Sequence, residues 1–121
     1  MKNKMDVFYK DKILAKAKVA KTAFALMKGL MFSAPLQDGE GLLLIREKES
    51  ILQSSIHLLF VFYSIDVLWL DKQKIVVDKR KNVKPFTLFV KPRKAAMYIL
   101  ELSKGASKGV NIGDVLDFRK V

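Results

Sequence analysis

Lysines fall at positions 10, 12, 16 and 18, while Ile13, Ala15, Ala17 and Val19 take the odd positions among them. This alternation has the period of two of a half-buried strand, here with one lysine face, and Leu14 is its only misfit. Thr22 then caps a short predicted helix in which Phe24, Met27 and Met31 recur at spacings of three and four. Lys21 and Lys28 take the far side of that helix, Gly29 weakens its end, and the apolar stripe reads as a core face. Residues 33–41 collect Ser, Pro, Asp and two Gly without periodicity and are expected to form a loop.

Residues 42–45 form a continuous apolar run suited to a strand buried on both sides, closed by Arg46, Glu47, Lys48 and Glu49. From Ile56 both parities are apolar and rich in aromatic and β-branched residues, so two strands are expected, 56–62 and 65–70, broken at Tyr63–Ser64. Residues 71–73 turn the chain into a further strand at 74–77. An alternating segment, 86–90, lies between Pro85 and Pro92, which suits an edge strand because the proline ring cannot donate to a ladder. Strands at 96–102 and 115–119 flank a glycine-bearing stretch, 103–113. Seven or more short strands with one or two short helices imply a mainly β fold. The expectation is one small domain over 1–121 with a curled antiparallel or mixed sheet, barrel-like or a sandwich, in which 1–11 is a peripheral strand or flexible arm.

Composition narrows the chemistry. The 121 residues are 50% hydrophobic and 29% charged, ordinary values for one compact domain. There is no Cys and one His, which excludes disulfide scaffolds, thiol catalysis, thiolate zinc sites and iron–sulfur clusters. No metal site and no cofactor is expected. The formal net charge is +11, with eight basic against four acidic residues in 1–40, six against five in 41–80 and nine against three in 81–121. Such an excess raises contact with polyanions as a question. No export signal is readable at the amino terminus, because Asp6, Lys10, Asp11 and Lys12 stand where an apolar stretch would be needed. The apolar run 56–70 is shorter than the roughly 20 residues of a spanning helix and contains His57, Ser64 and Asp66, so no membrane span is expected and the default location is the cytoplasm.

Residues 56–71, from Ile56-His57-Leu58 through Ile65-Asp66-Val67-Leu68-Trp69-Leu70-Asp71, resemble the signature of domain of unknown function 192, also known as uncharacterised protein family 0127. Lys28-Gly29-Leu30-Met31-Phe32 is similar to that family's Gly-Leu-Met stretch. Ile99-Leu100-Glu101-Leu102, Gly105, Gly109 and Gly113-Asp114 resemble its ending. The likeness runs from about residue 12 to the end. It departs at Leu26 and Ser33, near which the family commonly carries arginines, and at Ser64, where the family has Pro. Family members often carry an N-terminal export or anchoring segment, which is not readable here. The resemblance implies a small mainly β fold and singles out positions, Glu101 and Asp114 among them, without implying a reaction.

Several side chains carry candidate chemistry. His57 lies among Ile56, Leu58 and Phe60, where a lone imidazole is more often a satisfied interior group than a catalyst. Asp66 lies in a strand apolar on both parities, so its carboxylate must be paired, hydrogen-bonded or protonated. Were Tyr63–Ser64 a two-residue hairpin, His57 would lie roughly 13 Å along the strand from Asp66, too far for a direct pair. Gly105-Ala106-Ser107-Lys108-Gly109 matches a nucleophile-elbow pattern by coincidence, since the elbow needs a histidine after the serine. Glu101 alternates onto the face of Met97 and Ile99. A candidate ligand site is therefore His57, Asp66, Glu101 and Asp114, in a binding or accessory module for an unidentified small ligand or protein. An alternative is an RNA- or DNA-binding protein that uses Lys79, Arg80, Lys81, Lys84, Phe86, Phe89, Lys91, Arg93 and Lys94. Another is a carboxylate-based enzyme, marked by two acids in one cleft with unlike environments.

Overall fold

The computed structural model describes residues 3–121. Seven strands and one helix follow in the order β1 (Lys4–Tyr9), β2 (Lys12–Ala20), α1 (Ala23–Lys28), β3 (Glu40–Ser50), β4 (Ile65–Leu70), β5 (Val76–Val83), β6 (Ala96–Ser103) and β7 (Asp117–Lys120). The strands form one mixed sheet in the order β5-β4-β6-β3-β2-β1-β7. Of the 1–11 segment, residues 4–9 form β1, hydrogen-bonded to β2 on one side and β7 on the other, and the first two residues lie outside the described region. No helix among the described residues is long and apolar enough to cross a membrane.

The strand of lysines has a physical explanation for its misfit. Val7 pairs with Ala15 but Phe8 pairs with Ile13, so Leu14 is the extra residue of a β-bulge, and beyond it the alternation resumes with Ala15 and Ala17 buried and Lys16 and Lys18 exposed. Only β2 and β3 are parallel neighbours. A parallel pair needs a crossover, and residues 21–39 supply it, laying α1 and the following loop over one face of the sheet. Gly41 sits where a Cβ would come within 3.1 Å of the Glu101 carbonyl oxygen and 3.4 Å of the Ala15 Cβ, so the close approach of β2, β3 and β6 depends on glycine there.

Each face of the sheet has its own core. On one, Val7, Ala15, Ala17, Leu43, Leu68, Leu100 and Leu102 pack with Val76, Val110 and Leu116, joining residues from both ends of the sheet. The sheet is curled around this cluster without closing. Val76 exchanges hydrogen bonds with Asp114 and Gly113 at 2.8 Å, and the same stretch runs on into β7 against β1, so one piece of chain bonds to the β5 edge and itself forms the opposite edge. On the outer face Leu42, Leu44, Val67, Trp69 and Ile99 are covered by Leu30 of the crossover and by Ile56, Leu58, Val61 and Val90. The Trp69 indole donates to the Ser54 carbonyl at 2.7 Å, which fixes the irregular 51–64 segment to the sheet.

Four sequence expectations need correction. The helical stripe is not a core face: Phe24 and Met27 are 69% and 62% exposed, and the smaller Ala25 with Leu26 makes the inward contact. Residues 56–62 make only a bridge at Ile56, because the chain turns at Leu58–Val61 with Phe60 in a left-handed conformation, and half of this apolar run faces outward. Residues 86–90 likewise reduce to the Val90 partner of that bridge. The strand expected at 74–77 instead runs from 76 through the basic residues to 83, since β5 is an edge strand whose exposed side tolerates Arg80 and Lys81.

Candidate functional site

Parity along β4 and β6 decides which acids can meet. Val67 pairs with Glu101 and Asp66 with Leu102, so Asp66 and Glu101 project from opposite faces of the sheet.

Asp66 is 1% exposed and fully partnered. Its Oδ1 accepts the Asn82 N–H at 3.0 Å, and its Oδ2 accepts the Ser107 N–H at 3.1 Å and the Ser107 hydroxyl at 2.5 Å. Burial pushes this carboxyl up, but the Ser107 hydroxyl and the backbone donors of Asn82 and Ser107 outweigh it and hold it below its ordinary value. The charged carboxylate thus ties β5 and the 104–110 turns to β4, and the serine of the Gly-x-Ser-x-Gly stretch is spent on this link. Asp78 does the same on β5. It is fully buried and accepts from the N–H groups of Lys79 and Arg93 and from the Arg93 guanidinium at 2.8 Å. Burial raises the Asp78 carboxyl, and the Arg93 bonds more than reverse it.

Glu101 has no such partners. It is 3% exposed, flanked across the sheet by Leu42 and Val67, and makes no side-chain hydrogen bond to the described residues; burial pushes its carboxyl up to about 8. At neutral pH it is therefore mostly a neutral acid with a proton to donate. It opens on a small cavity of about 50 Å³, room for one or two waters, lined also by Arg46, Gln53, Ser55, His57 and the end of α1. His57 is held by two backbone contacts: its Nδ1 accepts the Leu59 N–H at 3.1 Å and its Nε2 lies 3.3 Å from the Met27 carbonyl oxygen. That carbonyl accepts, so the imidazole proton is placed on Nε2. His57 and Glu101 share a cavity, whereas His57 and Asp66 lie on different sides of the sheet.

The pairings place further polar groups on the Glu101 face. Asp6, Lys16 and Glu40 are neighbours across β1, β2 and β3, and Lys4, Lys18 and Leu42 form the next row, ending in Glu101 on β6. Ser103 follows Glu101 on the same face, and its hydroxyl is buried without a partner among the described residues, as are the Tyr63 hydroxyl and the Asp6 Oδ1. Burial, then Glu101, then Glu40 raise the Tyr63 phenol. Beside this array, under the crossover, lies a cavity of about 620 Å³ walled by Leu30, Pro35 and Leu36 and bordered by Lys4, Lys16, Lys18 and Lys28 against Asp38 and Glu40. Gly29 borders both cavities.

Asp114 stands apart from these groups. It closes the turn before β7, accepting the Asn111 N–H and the Tyr9 hydroxyl, each at 2.7 Å, and those two bonds hold its carboxyl below the ordinary range.

Residues 7–118 match the model of the DUF192 family, described as "Uncharacterized ACR". The chain belongs to this family. Similar curated members are a UPF0127 protein of Thermococcus sibiricus, 36% identical over 85% of this chain, and one of Thermococcus kodakarensis, 33% identical over 85%. This DUF192 chain spans about two-thirds of those relatives, 66% and 64% of their lengths. The same fold occurs in a crystal structure of a Sinorhizobium meliloti protein described as a candidate transcription regulator. Its TM-score is 0.85 at 18% identity, covering 98% of this chain and 94% of that one. A protein of unknown function from Novosphingobium aromaticivorans has a TM-score of 0.81 at 19% identity, covering 94% and 83%.

In this DUF192 member the basic residues between 79 and 94 have divided roles. The Lys79 ammonium donates to the carbonyls of Ser107 and Val110 at 2.8 and 2.7 Å, and Arg93 is paired with Asp78. Arg80, Lys81, Lys84, Lys91 and Lys94 are exposed, as are Phe86 and Phe89. Sequence reasoning did not find Tyr63, Glu40, Arg46 or Ser103. Ser103 alone had a signal, its spacing of two from Glu101; the others arrive through strand pairing and loop placement.

Proposed function

We propose that the protein is a binding module for a small organic anion, held in the cavity beneath the crossover by its lysines, with Glu101 and His57 as polar groups in the small cavity that adjoins it across Gly29. The observation that supports it is the Glu101 carboxyl: nearly sealed, without a hydrogen-bond partner among the described residues, and opening on the small cavity beside the crossover, with burial favouring its protonated form. A buried acid left without a hydrogen bond costs stability unless a bound group supplies the partner. The crossover cavity has the volume typical of small-ligand sites, and its four lysines against two acids favour a negative charge. Asp66, whose two oxygens are engaged, and Asp114, whose Oδ2 accepts from both Tyr9 and Asn111, act in this reading as framework.

A thermal-shift screen against metals, sugars, nucleotides and sugar phosphates tests it. Anionic members should raise the melting temperature, and Glu101→Ala and Lys18→Ala should each reduce that rise. The reading fails if no anionic compound shifts the transition at saturating concentration, or if both variants respond as the wild type does.

A further inference from the structure

Three bulky residues hold a left-handed backbone that residues with a Cβ avoid: Phe32 at φ 57°, Phe60 at 57° and Phe86 at 61°. They come from separate segments and meet at one place. The Phe32 N–H donates to the Phe60 carbonyl at 2.9 Å, and the Phe86 N–H donates to the Leu58 carbonyl at 3.0 Å. Phe32 stacks on Phe60 with centroids 4.8 Å apart, while Phe86 meets Phe60 and Phe62 edge-on at 6.0 and 5.0 Å. Clusters with this geometry usually make cores. Here Phe32 and Phe62 are 69% and 62% exposed, and Leu88 and Phe89 stand out from the segment that carries Phe86. Left-handed backbone at three aromatic residues persists only where the surroundings fix it, and such strain gathers at functional surfaces. An exposed apolar patch of this extent is itself the mark of an interaction site.

Charge identifies what covers it. The segments that bring these side chains together, 21–37, 51–65 and 84–97, contain Lys21, Lys28, Lys84, Lys91 and Lys94, besides Arg93 paired with Asp78, and no Asp or Glu. The partner must therefore be anionic and able to take up apolar side chains. A nucleic acid would need free ring faces on which to stack its bases, but Phe32 and Phe60 already cover one face of each other and Phe86 is engaged edge-to-face with Phe60 and Phe62. Leu59 and Leu88, aliphatic and exposed, offer a base nothing.

We propose that this surface docks the protein peripherally on an anionic lipid bilayer, with Phe62, Leu88 and Phe89 entering the boundary between headgroups and acyl chains and the lysines meeting the headgroups. Lysines near an anionic surface each add to the attraction, which fades with salt, and no forked recognition is required of them. The phenylalanines of this surface do not line the crossover cavity, though Lys28 borders it, and the inference does not rest on the ligand reading.

The test is co-sedimentation of the full chain with vesicles of phosphatidylcholine alone or mixed with phosphatidylglycerol, at low and at physiological salt. Binding is expected to the mixed vesicles only and to weaken with salt. The double variant Phe62→Ser with Phe89→Ser should weaken it by about tenfold or more, with an unchanged far-UV spectrum and melting temperature. Should that variant fail to fold, Lys84→Glu with Lys91→Glu, both exposed, should weaken binding by a similar factor. The proposal is overturned if the chain ignores the mixed vesicles, if both folded variants bind as the wild type does, or if poly(U) RNA is bound more tightly than the vesicles. A concentration-dependent dimer that the serine variant abolishes would overturn it as well.

Discussion

Glu101 and Asp66 are buried acids with opposite chemistry, and the difference lies in a handful of donors. Asp66 meets three, keeps its charge and acts as a tie; Glu101 meets none, and burial keeps its proton on. A neutral but unpartnered carboxyl in an apolar setting costs about 1–3 kcal/mol by protein mutational measure. Glu101→Leu, which places an aliphatic side chain between Leu42 and Val67, should therefore raise stability by about that amount near pH 4.5 and by more at pH 7, read as a higher urea midpoint. The sign of the pH dependence follows from the raised value. Between the ordinary carboxyl value of 4.5 and about 8 the folded protein holds a proton that the unfolded chain has released, so this group's contribution falls as pH rises through that window. The slope approaches about 1.4 kcal/mol per pH unit, and stability measured from pH 5 to 8 should decline more steeply in the wild type than in Glu101→Leu. Equal slopes would place the Glu101 carboxyl in a hydrated setting. A stabilising substitution at a candidate site is also the usual signature of a residue kept for function at the expense of stability.

Among the elements, β5 shows how an edge is protected. Its start is covered by Gly113 and Asp114, and Asp78 anchors Arg93 against it, but at Arg80 and Lys81 the strand faces solvent. Charged side chains there discourage pairing with a second chain, which makes part of the basic excess a device of the edge strand. Arg80→Val combined with Lys81→Thr should leave the fold intact and increase aggregation on mild heating, followed by light scattering; a variant as soluble as the wild type would show that the edge is already covered. The crossover between β2 and β3 is the other decisive element. It is imposed by their parallel pairing, it roofs the larger cavity, and α1 is too short to be a core helix, which leaves Phe24 and Met27 outside.

At the scale of the whole molecule, two cores share one sheet, and Leu42, Leu43 and Leu44 on consecutive positions of β3 serve them alternately. Neither core can be lost while the other stays, because β3, β4 and β6 belong to both. Unfolding should therefore be a single transition. Fluorescence of Trp69, the only tryptophan and part of the outer core, should coincide with far-UV circular dichroism through a urea titration, and separated midpoints would show that the cores unfold independently.

What the sequence determined is local. The alternation in 12–20 and the apolar runs at 42–45, 65–70 and 96–102 are set by neighbours two residues apart, and each became a strand, with even the Leu14 misfit preserved as a bulge. The buried acid at 66 was legible for the same reason, as a charge inside an apolar run. Where apolar residues serve a surface, the same logic misreads them: the phenylalanines at 24, 60 and 62 look like core because hydrophobicity records a preference for leaving water, not whether the fold grants it. The tertiary structure alone decided register, and with it the site. A one-residue parity between β4 and β6 sends Asp66 and Glu101 to opposite faces, gives one its donors and leaves the other bare, and no spacing within the chain encodes which strands become neighbours.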